Sequence, residues 1–221
     1  MANITFLEAG GASTGGTQLW NEITGSWTVS TSVKPVGAYS SLAFDHTAQA
    51  AGILTADSVL SGANRVSFFY RLSAYPNATR LVAEITNAGN TGAGYVYISS
   101  TGHLVWEDGD FAVAGTGPTA LALDTFYRIS LGFNLNGTSN DLDVNLYLDR
   151  KSDLSLTGLS TAGITAANVV RFRLSTQGTL ARQVYYAHIY IDDGNDLSDI
   201  GDIFCTAKFP TSVNNNNWDT V

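Results

Sequence analysis

The chain has 221 residues, of which 14% are charged, and 11 Lys and Arg against 19 Asp and Glu leave a formal net charge of −8. That balance repels phosphate backbones and anionic lipid, so nucleic acid is excluded as the expected partner. A single cysteine, Cys205, excludes an intrachain disulfide and a thiolate metal cluster, and no apolar run reaches the roughly 18 residues of a membrane span, so no membrane insertion is expected.

The opening "MANITFLEAGG" has no basic region followed by an apolar one, so no signal peptide is expected and synthesis in a cytoplasm is. The sequons at Asn3, Asn77 and Asn136 read as chance in a Thr-rich chain. The first strand signal is "AYSSLAF", residues 38–44. "TADSVLSGAN", residues 55–64, has room for one short helical turn. Then "RVSFFYRL" alternates strictly, with Val66, Phe68, Tyr70 and Leu72 on one face and Arg65, Ser67, Phe69 and Arg71 on the other. "RLVAEI", "GYVYIS" and "HLVW" are shorter strands. "FYRISLGF" alternates through Tyr127, Ile129, Leu131 and Phe133. "LDVNLYLD" sets Leu142, Val144, Leu146 and Leu148 against Asp143, Asn145, Tyr147 and Asp149. "VVRFRL" buries Val170, Phe172 and Leu174 and turns Arg171 and Arg173 outward.

In "YYAHIYIDDG" the same rule puts Tyr185, Ala187, Ile189 and Ile191 on the apolar face and Tyr186, His188, Tyr190 and Asp192 on the other. Between the strands lie "NAGNTGAG", "SSTGH", "EDGD", "NLNGTSND" and "DDGND", all rich in residues that favour turns. Many strands, frequent turns and no long amphipathic helix predict an all-β fold, a two-sheet antiparallel β-sandwich. All-β folds of this length form one domain. It is expected over residues 1–209, with a polar tail or linker over 210–221, where "TSVNNNNWDTV" gives up alternation.

The order of "GAYSSLAF", "RVSFFYRL", "GYVYISSTGHLVW", "TFYRISLGFN", "DLDVNLYLD", "VVRFRL" and "VYYAHIYIDDG" resembles the concanavalin A-like lectin and glucanase superfamily, in particular the laminin-G-like jelly roll. It covers the chain from Ile4 to about Lys208. The resemblance implies jelly-roll topology. The closing "YIDDGNDLSDIGDI" is similar to forms found in structural proteins of tailed bacteriophages, which implies a virion location and capsid or tail proteins as partners. Arg150 in "YLDRKS" stands where the family commonly has the Gly of a tight hairpin, so a longer or different turn is expected there.

A glycoside hydrolase needs two carboxylates flanking one bond, commonly on one strand of this superfamily, and no strand here offers them. Glu107, Asp108 and Asp110 in "WEDGDF" come nearest, but Gly109 marks a turn. There is no G-x-S-x-G elbow, and His46, His103 and His188 lack metal-ligand spacing. A lyase groove would draw on Arg171, Arg173, Tyr186, His188 and Tyr190. The expected chain is not an enzyme. As an EF-hand the aspartate segment fails, because Gly194 replaces the middle ligand and Ile203 the bidentate Glu. A capped turn is the favoured reading. The alternative is one structural calcium on Asp192, Asp193 and Asp196, and no other cofactor is implied.

Outward-facing Tyr95, Tyr97, Tyr147, Arg171, Arg173, Tyr186, His188 and Tyr190 form the candidate binding set. Aromatic rings stack on sugars and Arg bonds hydroxyls, but Tyr and Arg also suit subunit interfaces and ordinary sheets. The expected function is a non-enzymatic virion component, a decoration or appendage domain that assembles as a homo-oligomer and contacts host-surface glycan. A carbohydrate-binding module is the alternative, and a glycanase or lyase ranks third.

Overall fold

A computed structural model describes residues 4–8, 22–38, 40–46, 51–57, 63–135, 141–165, 169–177, 182–192 and 197–199. Among them the chain forms strands and no helix. The strands are β1 (Ile4–Glu8), β2 (Glu22–Thr24), β3 (Trp27–Ser30), β4 (Ser41–Asp45), β5 (Ala51–Asp57), β6 (Ala63–Leu72), β7 (Arg80–Asn87) and β8 (Gly92–Ile98). They continue with β9 (His103–Asp108), β10 (Val113–Ala120), β11 (Tyr127–Leu135), β12 (Leu142–Leu148), β13 (Lys151–Leu159), β14 (Val169–Gln177) and β15 (Gln183–Asp192).

The larger sheet has eight strands in the order β13-β12-β11-β6-β15-β4-β3, with β1 added on β15, and the smaller has seven in the order β10-β9-β8-β7-β14-β5-β2. Every pairing is antiparallel. The apolar faces meet in one core that includes Phe68, Tyr70, Trp106, Phe133 and Phe172. This is the two-sheet sandwich that the alternation predicts. β12 shows the rule most cleanly, since Leu142, Val144, Leu146 and Leu148 are buried while Asp143, Asn145 and Tyr147 are less so.

Along one side the sheets meet. A Cβ on Gly115 of β10 would sit 2.9 Å from Leu154 Cδ1 of β13, and the Thr119 amide donates to Asp153 Oδ1 at 3.3 Å. On the other side β2 and β3 are the edge strands of their sheets, joined through Gly25 at φ 82°.

Three local expectations change. First, Thr55–Asp57 completes β5 and Ala63 opens β6, so the ends of the expected helical turn are extended; residues 58–62 lie outside the described residues. Second, β12 and β13 are joined by the tight turn Asp149–Arg150 with Leu148 opposite Lys151, both turn residues at positive φ, 48° and 70°. Positive φ at both central positions is the type I′ hairpin, whose twist matches the flanking strands. Asp149 secures it, its Oδ1 accepting from the Arg128 amide at 2.8 Å and its own amide donating to the Arg128 carbonyl at 2.9 Å.

Third, β15 changes phase. His188 has φ 48°, and the pairing with β6 shifts register between Ala187 and Tyr190. This bulge inserts one extra residue, so Val184 and Tyr186 face the core before it, and Ile189 and Ile191 after it. Tyr186 is therefore 0% exposed and not outward. Its hydroxyl points at the Ser175 and Val82 carbonyls, at 2.9 and 3.1 Å.

Candidate functional site

The remaining members of the candidate set divide between two opposite faces of the sandwich. Tyr147, His188 and Tyr190 lie on the outer face of the larger sheet, where a later stretch of chain meets Tyr147. The Leu197 carbonyl accepts from Tyr147 Oη at 3.1 Å and Asn145 Nδ2 at 3.4 Å. Gly132 makes room for this crossing, since a Cβ there would lie 2.7 Å from Leu197 O. Arg128 Nη2 grips both carboxylate oxygens of Asp199, and Arg150 Nε lies 3.8 Å from the same group. His188 meets Phe69 edge-on at 5.7 Å, and burial lowers its pKa below the ordinary 6.5.

Asp192 also belongs to this face. Its Oδ1 accepts from Arg65 Nε at 3.0 Å and its Oδ2 from Arg65 Nη2 at 2.9 Å. The other two members of the calcium set, Asp193 and Asp196, lie outside the described residues. Among the described residues no group of three or more His, Cys, Asp or Glu side chains could hold a metal.

The outer face of the smaller sheet brings together Tyr95, Tyr97, Arg171 and Arg173. Strand registers place Thr55 opposite Arg173, Arg173 opposite Glu84, Glu84 opposite Tyr95, Tyr95 opposite Glu107, and Glu107 opposite Val113. These residues form one lateral row, and side chains in register across a sheet share its face. Arg173 Nη1 holds Glu84 Oε1 at 3.0 Å with both side chains nearly buried, and burial raises the Glu84 pKa against the opposing pull of Arg173. The Tyr97 hydroxyl donates to Glu107, and burial followed by the Glu107 charge holds its pKa well above the ordinary value. Arg171 Nη1 donates to Asn90 Oδ1 at 2.9 Å.

At the end of the row stands Phe111, which pattern reading left inside a turn. It has φ 61° and is 64% exposed, and its ring stacks on Tyr95 with centroids 4.9 Å apart and planes 22° from parallel. A bulky side chain in the left-handed region is an outlier that persists only where its surroundings impose it. Here the turn imposes it. Asp108 Oδ1 accepts from the Asp110 and Ala112 amides at 3.0 Å each, and Ser160 Oγ donates to Asp110 Oδ2. Two of the three carboxylates weighed for catalysis, Asp108 and Asp110, thus hold this turn. Tyr95 lies flat over Gly92, where a Cβ would fall 2.2 Å from its ring. Two signals in the sequence point to this site: a lone Glu inside the apolar "RLVAEI", which demands a counter-ion, and an aromatic directly after an Asp-Gly-Asp turn.

Sheet order and core together define a jelly-roll β-sandwich. Among solved structures it is similar to "Cellulose induced protein, Cip1", at TM-score 0.62 and 14% identity, over 80% of this chain and 93% of that one. It also resembles the botulinum neurotoxin serotype C1 binding domain, at TM-score 0.53 and 11% identity, over 77% of this chain and 43% of that one. A botulinum neurotoxin type C structure tied to interaction with two ganglioside molecules gives TM-score 0.51 and 11% identity, over 77% and 42%. At such identities the likeness is one of fold. No family profile and no curated protein matches the chain.

Proposed function

We propose that this chain is a non-catalytic recognition module that binds glycan on the outer face of its smaller sheet, carried on a bacteriophage particle. The observation that carries the binding reading is Phe111, an exposed aromatic ring held at φ 61° against Tyr95. A stacked pair fixed in place offers a flat apolar surface at little ordering cost, which suits the apolar face of a sugar ring. Glu107, opposite Tyr95 in the register, and Tyr97 supply polar groups on the same face. Two fold neighbours named as binding domains or tied to gangliosides agree with this use of the sandwich. The particle location rests on the resemblance of the sequence to phage structural proteins.

The test is a polysaccharide screen of the intact chain beside its Phe111→Gly variant. Glycine accepts the positive φ, so the turn survives while the ring is lost. Binding by the native chain that weakens about tenfold in the variant is the expected result, and binding indifferent to Phe111 would move the site elsewhere.

The edge strands favour a second role, attachment to a copy of this chain or to a capsid or tail protein. Ile23 of β2 and Val29 of β3 are 43% and 36% exposed, on the side of the sandwich where both sheets end. Exposed apolar edges are templates for pairing with another chain. Light scattering checks this: a defined oligomer that dissociates on Val29→Lys supports it, and a monomer leaves only the heterologous partner.

A further inference from the structure

We infer that the Phe111 site selects neutral sugars and rejects uronic acids. The inference rests on the recognition reading above and adds its specificity. Three carboxylates, Glu107, Asp108 and Asp110, lie within four positions of Phe111 in the chain; Glu107 stands opposite Tyr95 in the register and Asp110 is exposed beside the ring's own turn. Two cations of this face are already engaged: Arg173 is held by Glu84 at 3.0 Å, and Arg171 reaches Asn90 at 2.9 Å.

A pyranose stacked on the outer side of Phe111 brings its ring substituents to the rim of the platform, beside Glu107 and Asp110. Hydroxyl groups there donate to carboxylate oxygens in charge-assisted hydrogen bonds, which favours a polyol. A sugar carboxylate in the same place meets like charge, while Arg173 and Arg171 are already paired with Glu84 and Asn90, so it is disfavoured. The aromatic pair is a flat stack and not a cage. Its geometry therefore matches the broad apolar side of a neutral hexose.

The experiment measures binding of the intact chain at low ionic strength to polygalacturonate and to the same polymer after reduction of its carboxyl groups. The two polymers share a backbone and differ in charge. Preference for the reduced polymer by about tenfold or more is expected, lost in Phe111→Gly and retained in Phe111→Tyr. Glu107→Gln combined with Asp110→Asn should narrow the preference several-fold, because the repulsion is removed while the platform stays.

Equal or tighter binding of the charged polymer, still dependent on Phe111, would overturn the specificity and leave the recognition module standing. A preference that the double variant does not narrow would overturn its electrostatic origin. If neither polymer binds, neutral glucan, xylan and mannan are run in parallel with alginate. Binding confined to the neutral group supports the inference, binding confined to alginate overturns it, and binding to none overturns the recognition reading itself.

Discussion

Replacing Asp192 with Asn asks whether the aspartates ending β15 serve the fold or an ion. Both oxygens of Asp192 accept from one guanidinium, with the Asp192 side chain 1% exposed and Arg65 17%. The substitution keeps the shape, removes the negative charge and turns an amide N–H toward one arm of the guanidinium. Removing one partner of a fully buried pair costs about 3–5 kcal/mol. Water reaches Arg65, so the loss expected here is about 2–3 kcal/mol. At about 2–4 °C per kcal/mol for a chain of this size, Tm falls by roughly 4–12 °C. The assay is thermal unfolding by circular dichroism, with added calcium and again with chelator. Arg65→Met should lose less in the D192N background than alone, because the two side chains form one interaction. An unchanged Tm in D192N would refute the reasoning. So would a native Tm that falls on chelation while that of D192N does not, since the carboxylate would then serve a cation.

Three further outcomes follow from the same structure. Tyr186→Phe removes a buried hydroxyl hydrogen-bonded to the Ser175 and Val82 carbonyls and should cost about 1–2 kcal/mol in chemical denaturation; no change would return that ring to the surface. His188 is held neutral by burial, its folded pKa below 6.5, so its contribution is fully present above that pH and is lost as pH falls through 6.5 toward the folded value. His188→Asn tolerates the positive φ and should lose less stability than the native chain between neutral and mildly acid pH; parallel pH profiles would exclude this cause. Gly132→Ala forces Leu197 away from the larger sheet and should cost about 1–3 kcal/mol, with faster hydrogen exchange at residues 197–199 as the local signature.

Legibility tracked the distance over which a rule operates. Alternation is local, so β6 and β12 could be read directly, including which residues face the core. The same rule failed halfway along β15 because a bulge at His188 adds one residue, and nothing in "YYAHIYID" marks it except a histidine that tolerates positive φ. The Asp149–Arg150 turn escapes local rules for a related reason: Arg150 adopts a conformation expected of glycine, and contacts of Asp149 with Arg128 from a different strand hold the turn. The binding face was half visible. Tyr95, Tyr97, Arg171 and Arg173 could be seen to point outward, but their assembly with Glu84 and Glu107 depends on the register between strands. Phe111 was hidden because its role is set by a turn, where periodicity says nothing.

The place of β15 governs how the protein is made. It pairs with β6 along one edge and with β4 and β1 along the other, so it sits inside the larger sheet although it is the last strand in the described chain. Tyr186 lies opposite Tyr70, contacts that span more than half of the sequence. Such pairings are slow to form, because the entropy of closing the loop is lost before any contact compensates for it. On a translating ribosome, β1, β4 and β6 emerge with a vacancy where β15 belongs, their edges open to neighbouring nascent chains. The fold therefore closes only after β15 has been synthesised, and a chain stopped before Gln183 is expected to aggregate, not to form a smaller domain.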